Sequence, residues 1–174
     1  MGSFLNKLLG WLLGPPPRLR CAQTIWQAGV SELARRTLGG QRESGAYLLG
    51  VNLPAGGQRI LEFVFYDDID RRALETGVVT IRQTALPRLW ELCRERGYGV
   101  VADIHVHPGG YGQSSSDMAN PVMPRAGHVA MILPNFAQAP CRPGGIGIYE
   151  FLGAGRWADH SSKGVRYVKL DGRQ

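Results

Sequence analysis

Ala102-Asp103-Ile104-His105-Val106-His107-Pro108 is the stretch on which the reading of this chain turns. Side chains alternate faces along a strand, so Asp103, His105 and His107 share one face and Ala102, Ile104 and Val106 the other. The apolar set predicts packing against a helix. The polar set places two imidazoles side by side at a strand end, within reach of one ion. A glycine-rich loop follows, then Ser114-Ser115-Ser116-Asp117. A serine three residues before an acid also reads as a helix N-cap with the acid in the first turn. The two readings are compatible, because a capped turn would hold Asp117 rigidly toward the ion. Zinc takes imidazole nitrogen and carboxylate oxygen at roughly 2.0–2.1 Å. His105, His107 and Asp117 make three such ligands and leave a fourth position open for water, the pattern of a catalytic site.

Working outward, the chain alternates helical and strand periodicity early and clusters strands later. A short strand is expected over 18–22. Ile25, Trp26, Val30, Leu33 and Ala34 fall at helical spacing, with Arg35 and Arg36 in the last turn and Gly39-Gly40 as the stop. Residues 44–51 and 59–66, separated by Pro54-Ala55-Gly56-Gly57, read as a hairpin. Asp67, Asp68 and Asp70 lack the glycine and terminal glutamate of a calcium loop and read as a solvated connection. Ile81, Ala85, Leu89, Leu92 and Cys93 mark a second helix ending at Gly97, with Pro87 either kinking it or sitting in its first turn. Strands are expected over 98–107, 127–134 and 145–151, with two further short ones over 156–158 and 166–170. The resulting fold class is α/β, one mixed and mostly antiparallel sheet flanked by helices.

Composition narrows the function. The chain has 174 residues, a net charge of +6 and three cysteines. The length suits one domain over 18–174. The arginines are scattered, with no basic run and no aromatic-basic interleaving, which argues against nucleic acid and for an acidic protein partner. Cys21, Cys93 and Cys141 are odd in number, without a CxxC, so no disulfide framework is expected and a cytoplasmic setting is the simpler reading. His128 and His160 read as packing or surface residues, and Asp103 either supports the histidines or makes an ordinary hydrogen bond. Residues 1–17 are set apart. Apolar residues at 4, 5, 8, 9, 12 and 13 fit one face of an amphipathic helix, followed by Pro15-Pro16-Pro17. This segment is too short to span a bilayer, which needs about 20 residues. Packing on the domain or on a second copy is the plainer expectation, and docking to a partner or membrane surface the sharper one.

A hydrolase built on such a metal also needs a proton acceptor near the attacking water. On local pattern Glu43 is unremarkable. However, Glu43 with Ser44-Gly45-Ala46-Tyr47-Leu48-Leu49-Gly50, then His105-Val106-His107-Pro108, then Ser114-x-x-Asp117, resembles the JAMM motif of the JAB/MPN/Mov34 zinc metalloprotease family. The resemblance spans about residues 24 to 152 and matches every motif position in order. Within the family the chain looks most like bacterial members associated with ubiquitin-like conjugation systems, a subgroup that also suggests antiviral defence. The resemblance implies the MPN (cytidine-deaminase-like) fold and one zinc per chain, held by His105, His107 and Asp117. It implies Glu43 as the general base and later acid, and Ser114 as the donor to the oxyanion, with Ser115 the substitute if the register shifts. The implied reaction is cleavage after the C-terminal glycine of a ubiquitin-like protein, whose tail adds as a strand near the site. Segments about 67–79 and 135–144 are the expected walls, and activating-type and conjugating-type enzymes the further partners. Val106 stands where many members have Ser or Thr, and the loop before Ser114 is a little shorter than in many. A hydrolase of small adducts on a carrier protein's C-terminal glycine and a catalytically silent MPN scaffold are the alternatives.

Overall fold

The structure is a computed structural model that describes residues 15–77 and 79–172. The amphipathic segment expected over 4–13 lies outside the described residues. Strand β1 (Leu19–Ala22) leads directly into helix α1 (Gln23–Arg36), followed by β2 (Gly45–Asn52) and β3 (Gln58–Phe65). A single helical turn α2 (Tyr66–Ile69) opens a connection to a short 3-10 turn (Gln83–Ala85) and α3 (Leu86–Arg96). Then come β4 (Gly99–Val106), the five-residue α4 (Ser115–Ala119), β5 (Val129–Leu133), β6 (Gly147–Gly153), β7 (Arg156–Asp159), the turn α5 (Gly164–Tyr167) and β8 (Val168–Asp171).

The strands form one mixed sheet in the order β7-β6-β5-β4-β2-β3-β1-β8. β2 pairs antiparallel with both β3 and β4, and β6 with both β5 and β7. β1 runs parallel to β3 and β8, and β4 parallel to β5. The sheet curls, so that Arg18 beside β1 donates from Nη2 to the Gly127 carbonyl just before β5, at 2.9 Å.

The two faces carry different cores, as strand alternation requires. On one face α1 buries Trp26 and Leu33 against Ala46, Leu48, Ile60, Ala102, Ile104 and Val106. Each fully buried large apolar side chain there contributes about 1.5–3 kcal/mol. On the other face α3 buries Leu89 and Cys93 with Tyr47, Leu49, Val64 and Tyr66. Pro87 sits in the first turn of α3, where its missing N–H costs no helical bond, and Gly97 closes the helix in the left-handed conformation at φ 67°.

Three expectations are corrected. The acidic connection is not simply solvated. The Asp70 side chain is fully buried, accepting from the backbone N–H groups of Arg72 and Arg82 and pairing with the Arg82 guanidinium. Asp67 and Asp68 pair with Arg36 from α1. The segment expected as a strand over 166–170 begins as the turn α5 and becomes extended only from Val168. Tyr66, expected at the end of a strand, opens α2 and turns its ring into the core.

Candidate metal centre

His105 is buried near the end of β4 and His107 follows one residue past it. Asp117 comes from α4, where Ser114 and Asp117 form a reciprocal capping box. The Ser114 backbone N–H donates to Asp117 Oδ2 at 2.7 Å, and the Asp117 N–H donates to Ser114 Oγ at 3.2 Å. The two capping contacts fix the carboxylate and leave the Ser114 hydroxyl hydrogen free to donate elsewhere.

The three side chains converge. His105 Nε2 lies 2.9 Å from His107 Nε2 and 3.4 Å from Asp117 Oδ1, and His107 Nε2 lies 3.3 Å from Asp117 Oδ2. Donors about 2.0–2.1 Å from a tetrahedral ion stand about 3.3–3.4 Å apart, and one donor atom from each of these three side chains lies within 4.8 Å of the others, close enough to share one ion. Two imidazole nitrogens facing each other at 2.9 Å require a proton or a cation between their lone pairs. Among the described residues this is the group of histidine, cysteine and acidic side chains dimensioned to hold a metal.

The electrostatics favour a cation. Burial opposes charge on the His105 imidazole, but the hydrogen-bonded Asp117 carboxylate, with the charges of Asp103 and Glu43, outweighs it and raises its pKa above the usual histidine value. Burial likewise works against ionised Asp117, but His105, His107 and the Ser114 N–H hold its carboxyl well below the usual carboxylate range. Oxygen and imidazole donors with one net negative charge, in a partly buried pocket, suit a divalent ion.

Glu43 reaches the site through sheet pairing. Gly45 lies across from His105, and the ladder continues with the Val106 N–H donating to the Ser44 carbonyl at 2.9 Å. Glu43 stands just beyond this last link of the ladder, and its charge acts on the His105 imidazole. Its backbone N–H donates to the Gly77 carbonyl at 2.8 Å, so the 67–79 segment abuts it. On the other side, the Phe136 N–H donates to the His107 carbonyl at 2.8 Å, which brings the 135–144 segment alongside. Thus the structure brings Glu43, His105, His107, Ser114 and Asp117 to one end of the sheet.

Other residues fall outside the triangle. Asp103 is buried and bonds away from the candidate ligands, to His128 Nε2 at 2.6 Å and to the Tyr66 hydroxyl at 3.1 Å. His160 stacks on Tyr167, and its Nε2 lies 3.0 Å from Glu150 Oε2. Cys141 is buried and its thiol donates to the Ala139 carbonyl at 3.3 Å. A cavity of about 720 Å³ is lined by α1 residues Trp26, Val30 and Ala34 with Cys141 and Leu170, and by none of the three candidate ligands.

Sequence reasoning gave no separate role to two glycines in the row of His105. Across the sheet, Gly45, His105, Ile132 and Gly147 form one row. A Cβ at Gly45 would lie 2.3 Å from the Tyr66 ring, and one at Gly147 would lie 2.2 Å from the Tyr111 carbonyl oxygen. No local signal marks these two among 24 glycines.

No protein-family model matches the chain. Its fold is similar to solved ones. The solution structure of protein DSY2949 from Desulfitobacterium hafniense is 13% identical with a TM-score of 0.59, over 89% of this chain and 94% of that one. A solution structure of a protein from Salinibacter ruber is 16% identical with a TM-score of 0.53, over 81% of this chain and 88% of that one. At these identities the likeness is one of fold. Among the described residues no helix is long and apolar enough to cross a membrane.

Proposed function

We propose that this chain is a zinc-dependent isopeptidase or peptidase of the JAMM/MPN kind, cleaving after the C-terminal glycine of a ubiquitin-like protein. The observation that carries the reading is the cluster of His105, His107 and Asp117, with Glu43 just beyond the end of the β2–β4 ladder and its charge acting on His105. The donor set and its spacing fit one zinc ion. When bound, such an ion acidifies a water and polarises a carbonyl.

The chain's own residues account for the remaining chemistry. Glu43 accepts the proton of the attacking water and returns it to the departing amine, which leaves as a neutral group. The Ser114 hydroxyl, its oxygen already accepting from the Asp117 N–H, donates to the scissile carbonyl oxygen as negative charge develops there. The 67–79 and 135–144 segments, tied to Glu43 and His107 through their backbones, form the walls along which an extended glycine-ending tail lies. Enzymes that activate and conjugate the same modifier are the associated partners.

The test is cleavage of a ubiquitin-like protein carrying a C-terminal extension, by the parent and by Glu43→Gln, with zinc content measured on both. The reading expects about one zinc per chain in each, with hydrolysis by Glu43→Gln lower by about 10²–10⁴-fold. Equal cleavage by the two proteins sinks the role of Glu43. Release of only a small adduct from the terminal glycine moves the assignment to that smaller substrate, and zinc binding without any hydrolysis identifies a scaffold.

A further inference from the structure

Asp117 is the ligand with the weakest claim to its place. His105 and His107 are set by β4, whereas Asp117 rides on a five-residue helix with no buried residue, after a loop containing Gly109, Gly110 and Gly112. The capping box fixes Asp117 within its own turn but does not tie that turn to the sheet. Three features of the β6–β7 hairpin do. The Tyr149 hydroxyl donates to the Tyr111 carbonyl at 3.1 Å. Trp157 Nε1 donates to the Met118 carbonyl at 3.2 Å. Gly147, by lacking a Cβ, lets the Tyr111 carbonyl settle onto the strand, since a Cβ would stand 2.2 Å from that oxygen.

These residues share the sheet surface that carries the histidines. Gly147 pairs with Ile132, which pairs with His105, and Tyr149 pairs with Ala130, which pairs with Asp103. The hairpin is braced internally by Phe151 against Trp157, ring centroids 5.0 Å apart. One contact lies at Tyr111, six residues before Asp117 and ahead of its turn, and the other at Met118, the residue after it, so the two hold the turn to the sheet from both sides. The backbone carbonyls of Tyr111 and Met118 are held, and their own side chains remain exposed.

We infer that Gly147, Tyr149 and Trp157 are positioning residues that clip the Asp117 turn to the sheet and so set the affinity of the metal centre. The inference rests on the metal reading of His105, His107 and Asp117. It adds that three-ligand binding depends on a hairpin that contributes no ligand. Supporting groups beyond the ligands commonly change metal affinity by about 10–100-fold when removed.

The experiment loads the full chain with cobalt(II), whose visible absorption reports coordination geometry, and measures zinc affinity by competition with a chelator. Tyr149→Phe deletes one donor and keeps the ring, and Trp157→Phe deletes the other and leaves a smaller aromatic ring against Phe151. The variants are these two singly and together, Gly147→Ala, Asp117→Ala as the benchmark, and Leu33→Val as a control that loosens the opposite core. Each single donor deletion should weaken zinc about 10-fold, and the double deletion and Gly147→Ala up to about 100-fold. Their cobalt bands should shift toward that of Asp117→Ala, while Leu33→Val keeps the parent band. Should Gly147→Ala fail to fold, the double variant decides. Parent-like affinity and spectrum in a folded double variant overturn the inference and leave the metal reading standing. A parent that binds neither ion overturns both.

Discussion

Gly45 of β2 lies directly across from His105 of β4. This one pairing aligns the entrance of β2 with the exit of β4, so that Glu43, two residues before Gly45, comes to the histidine end of β4 although the two are far apart in sequence. It also requires a residue without a side chain. The space a Cβ would take at Gly45 is filled by the Tyr66 ring, whose hydroxyl is bonded to Asp103.

Gly45→Ala should therefore be costly despite its small size. The added carbon would lie 2.3 Å from a Tyr66 ring atom and 2.9 Å from the Ile104 carbonyl oxygen. Overpacking of this kind costs about 1–3 kcal/mol. Chemical denaturation should show that loss, and Gly45→Ala combined with Tyr66→Leu should recover part of it. An unchanged denaturation midpoint would show that the strand shifts freely.

Val106 is fully buried in the α1-side core, on the face opposite the histidines it separates. Val106→Thr should lower stability by about 1–3 kcal/mol, the cost of burying a hydroxyl without a partner. Zinc stoichiometry should remain that of the parent. A change in metal content with unchanged stability would reverse the assignment of faces.

Zinc at a hundredfold its Kd should stabilise the folded chain by about 2.7 kcal/mol, because the ligands converge only on folding. A rise in Tm on adding zinc, reversed by a chelator, is the expected result. His105→Ala should lose the effect. The same zinc-dependent rise in His105→Ala would remove that residue from the ligand set.

Asp70 gives a pH dependence that does not involve the metal. The Arg82 guanidinium, helped by the Arg72 and Arg82 N–H groups, outweighs burial and holds the Asp70 carboxyl well below the usual carboxylate range. Its folded pKa thus lies below its unfolded value. The stability it contributes is present in full above the unfolded pKa, about 3.9, and is lost as pH falls toward the depressed folded value. Metal-free protein should lose stability on acidification below about pH 4, and Asp70→Asn should lose less over the same range. Parallel curves for the two proteins would show that Asp70 titrates as it does in the unfolded chain. Since Asp70 anchors the segment that reaches Glu43 through Gly77, Asp70→Asn should also reduce hydrolysis without removing zinc.

Much of this arrangement is legible in the sequence because it depends on short-range periodicity. Alternation along 102–107 assigns His105 and His107 to one face, since a strand offers only two. Ser114 and Asp117 are three residues apart, the spacing of a capping box, and the box is present. Helix α1 follows its apolar spacing and α3 does so from Leu86 to its stop at Gly97, whereas Ile81 and Ala85, expected within that helix, precede it in irregular chain and a 3-10 turn. Asp103 shares the histidines' face as alternation requires, yet its partners, His128 and Tyr66, come from elsewhere in the chain.

By itself, then, the sequence determined which side chains share a face and which turn holds the acid, because those facts depend on residues a few positions apart. Only the tertiary structure decided that Glu43 enters at the histidine end of β4, that the acidic connection buries Asp70 against Arg82, and that Tyr149 and Trp157 bond the chain on either side of Asp117. Each of these depends on strand order and register in a curled sheet. Those are properties of pairings between distant segments, and local pattern carries no record of them.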